Sequence, residues 1–306
     1  EQILRLARVS EPRLRPDGLL VAFTAADSLD PTLKQIWIVG TGGDGPRPFT
    51  AGGRSARAPR WSPDGTALLF LSARADTAKE QIQWISLEER SSRPLTNEPT
   101  GVLDMEWSPD GRKIAYVTAS AQPPQTDPII LKPPLALNRL CVLDTGDNST
   151  RVISPADVEI RGFAWAPDGG RLAVLTTPPG SFGEWRRGGL AITGADGAGW
   201  RALPVPADPL LPLAWSPAGD RIALNVRAAE NLAYSALSIV DPDGTNLRRL
   251  QSRDSAEDNE GVVWATDGAL RTASFAGVHA WLNRVDPETG ARTRIIAKTR
   301  RHLRPQ

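Results

Sequence analysis

The chain has 306 residues, with 36 Lys plus Arg against 35 Asp plus Glu, a net charge of +1, one cysteine and two histidines. Gly and Pro number 27 each, high for a globular chain but below the share of a low-complexity one, and the balanced charge argues against a nucleic-acid binder, which gathers a basic excess on one face. Cys141 alone supports neither an internal disulfide nor a CxxC site, and no run approaches 18 uncharged apolar residues, which excludes an apolar membrane-spanning helix.

Glu1 to Arg8, with apolar Ile3, Leu4, Leu6 and Ala7, is the only helical turn the pattern predicts. The opening Glu1-Gln2-Ile3 has neither Met nor the apolar core of a signal peptide, so a preceding segment is expected. After it, one phrase recurs six times: Arg15-Pro16-Asp17-Gly18, Trp61-Ser62-Pro63-Asp64-Gly65, Trp107-Ser108-Pro109-Asp110-Gly111, Trp165-Ala166-Pro167-Asp168-Gly169, Trp215-Ser216-Pro217-Ala218-Gly219 and Trp264-Ala265-Thr266-Asp267-Gly268. Counted at positions 17, 64, 110, 168, 218 and 267, the intervals are 47, 46, 58, 50 and 49 residues, the period of a propeller blade.

The phrase has the chemistry of a hairpin connector. Pro presets φ at the second position of a turn, Asp bonds back to turn amides, and Gly accepts the left-handed conformation. An alternating apolar run follows each copy, such as Leu20 to Phe23, Leu68 to Leu71 and Leu172 to Leu175. A third strand is predicted at Gln35 to Val39, Gln81 to Ser86, Asn138 to Asp144, Gly189 to Thr193, Ala236 to Asp241 and Ala280 to Asp286. Short fourth strands close the units at Arg93 to Thr96, Arg151 to Ile153, Arg201 to Leu203, Arg248 to Leu250 and Arg294 to Ile296. The pattern predicts an all-β fold: a six-bladed β-propeller of four-stranded antiparallel blades, forming one domain over residues 1–306 with blades near 9–50, 57–96, 102–153, 160–203, 211–250 and 261–296. The alternative is six visible blades of a truncated seven-bladed ring. The Trp of each phrase is expected to pack between neighbouring blades.

Two excursions interrupt the period. Ala121 to Ala136 carries Pro123, Pro124, Pro128, Pro133 and Pro134 and reads first as a Pro-stiffened surface connection. Pro178 to Gly188 holds Trp185, Arg186 and Arg187, which we take as candidate ligand or partner contacts, set against inter-blade packing with Arg covering the aromatic.

Several motifs resemble catalytic or binding sites without the required context. Gly40-Thr41-Gly42-Gly43-Asp44-Gly45 matches GxGxxG, but Pro46-Arg47-Pro48-Phe49 begins another strand where a phosphate loop needs a helix. Asp241-Pro242-Asp243-Gly244 lacks the later acidic ligands of a calcium loop and reads as a hairpin turn. Asp254, Glu257, Asp258 and Glu260 read as a solvated acidic link, and Asn148-Ser149-Thr150 fits a glycosylation acceptor by chance. No serine has Gly at both −2 and +2; the nearest approach is Gly53-Arg54-Ser55-Ala56-Arg57. Of the two imidazoles, His302 lies in a basic tail and His279 at the start of a third strand. No cofactor, metal cluster or catalytic set is expected, and an enzyme using the central channel would need acidic or histidine residues converging there, which no recognisable spacing shows.

The W-S-P-D-G-x-x-[IL]-A-[FY] phrase resembles the TolB-like, or PD40, propeller repeat. The whole chain is more closely similar to the N-terminal propeller of prolyl-oligopeptidase-family (S9) serine peptidases of the acylaminoacyl-peptidase type. The similarity rests on Leu4 to Gly18, on Leu95-Thr96 before Pro99-Thr100-Gly101-Val102, and on Asp127-Pro128-Ile129, Asn138 to Asp144 and Arg161-Gly162-Phe163-Ala164-Trp165. Asp127 joins the candidate contacts on this ground. The resemblance implies a non-catalytic lid that gates or binds peptides above an α/β-hydrolase domain, whose triad matches no position in this sequence. It implies a peptide or protein ligand, with a stand-alone TolB-like interaction scaffold as the alternative; charge balance and hydropathy leave neither nucleic acid nor membrane as an expected partner.

Overall fold

The computed structural model describes residues 9–26, 33–50, 54–73, 79–119, 137–177, 188–205, 208–227, 235–250, 258–276 and 279–296. Among them there is no helix, and all regular structure is strand. Blade 1 comprises β1 (Val9–Leu14), β2 (Leu20–Ala26), β3 (Lys34–Gly40) and β4 (Arg47–Pro48). Blade 2 comprises β5 (Ala56–Trp61), β6 (Ala67–Ala73), β7 (Glu80–Ser86) and β8 (Ser92–Pro94). Blade 3 comprises β9 (Val102–Trp107), β10 (Lys113–Ala119), β11 (Asn138–Asp144) and β12 (Thr150–Val152). Blade 4 comprises β13 (Glu159–Trp165), β14 (Arg171–Thr177), β15 (Gly189–Gly194) and β16 (Arg201–Ala202). Blade 5 comprises β17 (Asp208–Trp215), β18 (Ile222–Arg227), β19 (Ser235–Val240) and β20 (Arg248–Arg249). Blade 6 comprises β21 (Asp258–Trp264), β22 (Leu270–Ala276), β23 (His279–Val285) and β24 (Arg292–Ile296). Each blade is a four-stranded antiparallel sheet in sequence order, so the chain is a six-bladed β-propeller. It divides into two compact units, Glu1–Val152 and Ile153–Gln306, with three blades apiece.

The repeated phrase closes every first hairpin in the same way. In blade 2 the Gly65 N–H donates to the Ser62 carbonyl at 2.9 Å, and the Ser62 N–H donates to the Ala67 carbonyl. The Asp64 carboxylate accepts from the Ser62 hydroxyl at 2.6 Å and from the Thr66 N–H at 3.0 Å. Gly111, Gly169, Gly219 and Gly268 repeat the first bond. Gly111 has φ +70°, the left-handed region that favours glycine.

The fourth strands of blades 2 to 5 end one or two residues before the expected limits, while that of blade 6 ends at Ile296 as expected. Leu95, Leu203 and Leu250 still donate to third-strand carbonyls, at 2.7–2.8 Å, but the ladder stops there and the chain leaves for the next blade.

The hydrophobic core lies between blades. In the first unit, Ala22, Ile36, Ile38 and Phe49 of blade 1 pack on Ala56, Trp61, Leu68, Phe70 and Ile85 of blade 2. Leu69, Leu71 and Ile82 of blade 2 pack on Val102, Met105, Ile114 and Tyr116 of blade 3. In the second unit the same layers form between blades 4 and 5 and between blades 5 and 6. The second strands β6 and β14 and the third strand β11 are buried on both faces, so their apolar runs are near-continuous where alternation was expected.

The phrase tryptophans stitch these layers. The Trp61 indole N–H donates to the Arg13 carbonyl at 3.0 Å and Trp107 to the Arg60 carbonyl at 3.3 Å. In the second unit Trp215 donates to Ala164 at 3.1 Å and Trp264 to Ala214 at 3.2 Å. Each acceptor is the residue just before the equivalent phrase position one blade earlier. The packing of these tryptophans between blades, expected from the sequence, thus comes with a directional polar bond.

Candidate functional site: the bulged first strands

In each unit the first strands converge, β5 packing on β1 and β9, and β17 on β13 and β21. Every first strand carries a register break against its second strand: between Ser10 and Arg13, Arg57 and Arg60, Val102 and Asp104, Ile160 and Gly162, Leu210 and Leu213, and Asn259 and Gly261. Bulges re-aim side chains and increase twist. Glu11 and Ala58, both in the bulges, have φ of 54° and 56°, and each is followed by Pro.

In the first unit these strands bring charges together. The Arg60 side chain is only 9 % exposed and spans from β5 to β9, its Nε 2.9 Å from Glu106 Oε2 and its Nη2 3.1 Å from Asp104 Oδ1. Its Nη1 donates to the Pro59 carbonyl at 3.1 Å. Arg57 forks onto Glu80, with Nε 2.9 Å from Oε1 and Nη2 2.5 Å from Oε2. Glu11 Oε2 accepts from the Thr24 hydroxyl at 2.8 Å and from the Ala58 N–H at 3.0 Å, joining blade 1 to blade 2. Desolvation raises the Glu106 carboxyl above the ordinary carboxylate range, against the opposing pull of Arg60 and Arg13. In the second unit the corresponding strands expose apolar groups, Leu211 and Val263, and Leu211 lies so close over Gly162 that a Cβ there would come within 2.8 Å of its Cδ2.

The four contacts picked from the sequence, Asp127, Trp185, Arg186 and Arg187, lie outside the described residues, as do the Glu1 to Arg8 turn, Asp254 and Glu257. Asp258 and Glu260 fall in β21, and His279 opens β23. Gly40 ends β3 and leads through a turn into β4, and Asp241 to Gly244 forms a hairpin turn, the Gly244 N–H donating to the Asp241 carbonyl at 2.9 Å. The Ser55 hydroxyl accepts from the Lys34 N–H at 3.0 Å. Burial pushes the Cys141 thiol up to about 11, with Glu98 adding to the effect, so it is held as a thiol at neutral pH. Among the described residues no three His, Cys, Asp or Glu side chains are grouped to hold a metal ion. A cleft of 680 Å³ between blades 4 and 5 is lined by Arg171, Arg201, Asp220, Asp241 and Asp243, and Arg201 closes one side by donating to the carbonyls of Pro242 and Asp243 at 3.0 and 3.3 Å.

Sequence inspection missed Arg13, Arg60 and Glu106. They were detectable, because each directly precedes the phrase or its equivalent, at the spacing of the repeat. Acidic residues do converge on the first strands, interleaved with arginines.

No family model matches the chain. One curated relative, the uncharacterized peptidase YuxL of Bacillus subtilis, is 35 % identical over 105 residues, which is 33 % of this chain and 16 % of that protein. Among solved structures, the acylaminoacyl peptidase of Pyrococcus horikoshii superposes with a TM-score of 0.68 at 18 % identity, covering 95 % of this chain and 46 % of its own. The β-propeller domain of the Trilobed protease from Pyrococcus furiosus gives 0.67 at 18 %, covering 96 % and 84 %. TolB from Acinetobacter baumannii gives 0.59 at 15 %, covering 90 % and 63 %. The chain therefore shares the fold of peptidase propellers and of TolB, and spans less than half of the acylaminoacyl peptidase it superposes on.

Proposed function

We propose that this chain is a non-catalytic propeller module that gates or binds peptide-like ligands, in the manner of the propeller of a serine peptidase whose hydrolase domain is absent from this sequence. One observation carries the reading: nearly the whole chain superposes on under half of an acylaminoacyl peptidase, yet on 84 % of a protease's isolated propeller domain. The first strands supply suitable chemistry. They set guanidinium and carboxylate groups beside main chain displaced by bulges, a surface matched to a ligand with amides and charged ends. Trp185, Arg186, Arg187 and Asp127 are further contacts in this proposal, and an α/β-hydrolase domain is its natural covalent or non-covalent partner. The TolB likeness over 90 % of the chain favours a second reading, a protein-interaction scaffold.

The test is hydrolysis of short peptide and acyl-peptide chromogenic substrates by this chain and by the product of its complete reading frame. Activity only in the longer product supports the gating role. Turnover by this chain alone refutes the non-catalytic assignment, and inactivity of both products transfers the weight to the scaffold.

A further inference from the structure

Arg13, Arg60 and Glu106 occupy one tier. Each is the residue directly before the turn phrase or its equivalent, in β1, β5 and β9, and the carbonyls of the first two receive the indole N–H of the next blade's tryptophan. Within this tier the donors of Arg60 are spent on Glu106, Asp104 and the Pro59 carbonyl. Nearby, Arg57 is spent on Glu80, and Glu11 on Thr24 and Ala58. Arg13 differs: it is exposed on β1, and among the described residues its guanidinium donates only to the carbonyl of Pro12, at a long 3.4 Å. A guanidinium has five N–H donors in a planar fork.

We propose that Arg13 is the seat for a carboxylate of the bound peptide, which it holds at the converging first strands of blades 1 to 3. The inference rests on the peptide-binding reading above and gives it a polarity. The electrostatics agree: desolvation, then the neighbouring Arg60 charge, hold the Arg13 guanidinium below its ordinary value, and the raising influence of Glu106, Asp104 and Glu11 does not restore it. An incoming anion relieves that condition. A planar carboxylate presents its two oxygens to the fork in the bidentate geometry that makes such pairs strong. Two sources supply that group, a peptide's free C-terminus and an Asp or Glu side chain, and the experiment separates them.

The experiment is isothermal titration of the full chain with Ala-Ala-Phe-Ala, its C-terminal amide, and the amide of Ala-Ala-Asp-Ala. The free acid is expected to bind about tenfold tighter than the plain amide, the gain of one charge-assisted pair, and R13Q to abolish the difference while R13K retains part of it. Recovery of affinity by the Asp-containing amide assigns the seat to side-chain carboxylates, and its failure to recover assigns it to the C-terminus. R47Q, on the exposed β4, controls for loss of net charge. Equal binding of acid and amide by the wild type, or a preference that survives in R13Q, overturns the assignment of Arg13 and leaves peptide binding standing. Absence of binding by all three peptides overturns the peptide reading itself. Unchanged melting of R13Q is expected, and R13K keeps the test decisive should it fail to fold.

Discussion

Replacing Trp61 by Phe tests the inter-blade stitching directly. Trp61 is 7 % exposed, packs with Ala22, Ile36, Ile38 and Phe49 of blade 1, and donates to the Arg13 carbonyl at 3.0 Å. Phe keeps the six-membered ring and removes both the pyrrole portion and the donor. The lost apolar burial costs about 1 kcal/mol at roughly 25 cal/mol per Å². The broken hydrogen bond costs about 1 kcal/mol more. A destabilisation of about 2 kcal/mol lowers Tm by about 4–8 °C in a cooperative unit of roughly 150–250 residues. Calorimetry, with far-UV circular dichroism to confirm that both variants are folded at 20 °C, reads the shift. Trp107→Phe is the internal comparison: its bond is longer, 3.3 Å, and its ring is only partly buried, so its loss is the smaller. A Tm unchanged in Trp61→Phe, or a larger loss in Trp107→Phe, refutes the claim that buried indoles bonded to the preceding blade hold the layers together.

The turn assignment predicts that Gly111→Val, placing a β-branched residue at φ +70°, lowers stability by over roughly 1 kcal/mol; a melting temperature equal to wild type contradicts it. Hydrogen bonds from Ser62 and Thr66 hold the Asp64 carboxyl below its ordinary value, and those from Ser108 and Arg112 do the same for Asp110. A depressed folded-state pKa contributes stability above the unfolded value of about 3.9 that is lost as pH falls through the folded one. Tm should therefore fall below about pH 4, and the gap between wild type and Asp64→Asn should shrink over that range; a pH-independent gap rules out the carboxylate as the cause. Replacing Trp185 and Arg187 together by Ala is expected to leave the melt intact and weaken peptide binding in the same titration, and a collapsed melt would identify those side chains as core.

The repeat made most of the architecture legible. Turn residues are local chemistry, and Pro-Asp-Gly marks every first hairpin except where Ala218 and Thr266 substitute within it. The third strand Asn138–Asp144 falls where the apolar alternation placed it. The charged tier was harder to see, because Arg60 reaching Asp104 and Glu106 is a contact between residues 44 and 46 apart in the chain. Attention to the phrase itself hid the position in front of it, where Arg13, Arg60 and Glu106 give way to Ala164, Ala214 and Val263 in the later blades. Bulges are events of register between two strands, and only Pro12, Pro59 and Pro212 hint at them in one.

The tryptophan bond also gives the blades an order that their similarity conceals. Where later copies carry an indole, blade 1 carries Leu14, an exposed side chain with nothing to donate. Blades 2 and 5 each act as guest and host, lending an N–H backward and offering a carbonyl forward. Shuffling copies would break that sequence of loans: moving blade 1 into the place of blade 2 strands the Arg13 carbonyl. Repeats alike in sequence thereby form an ordered series.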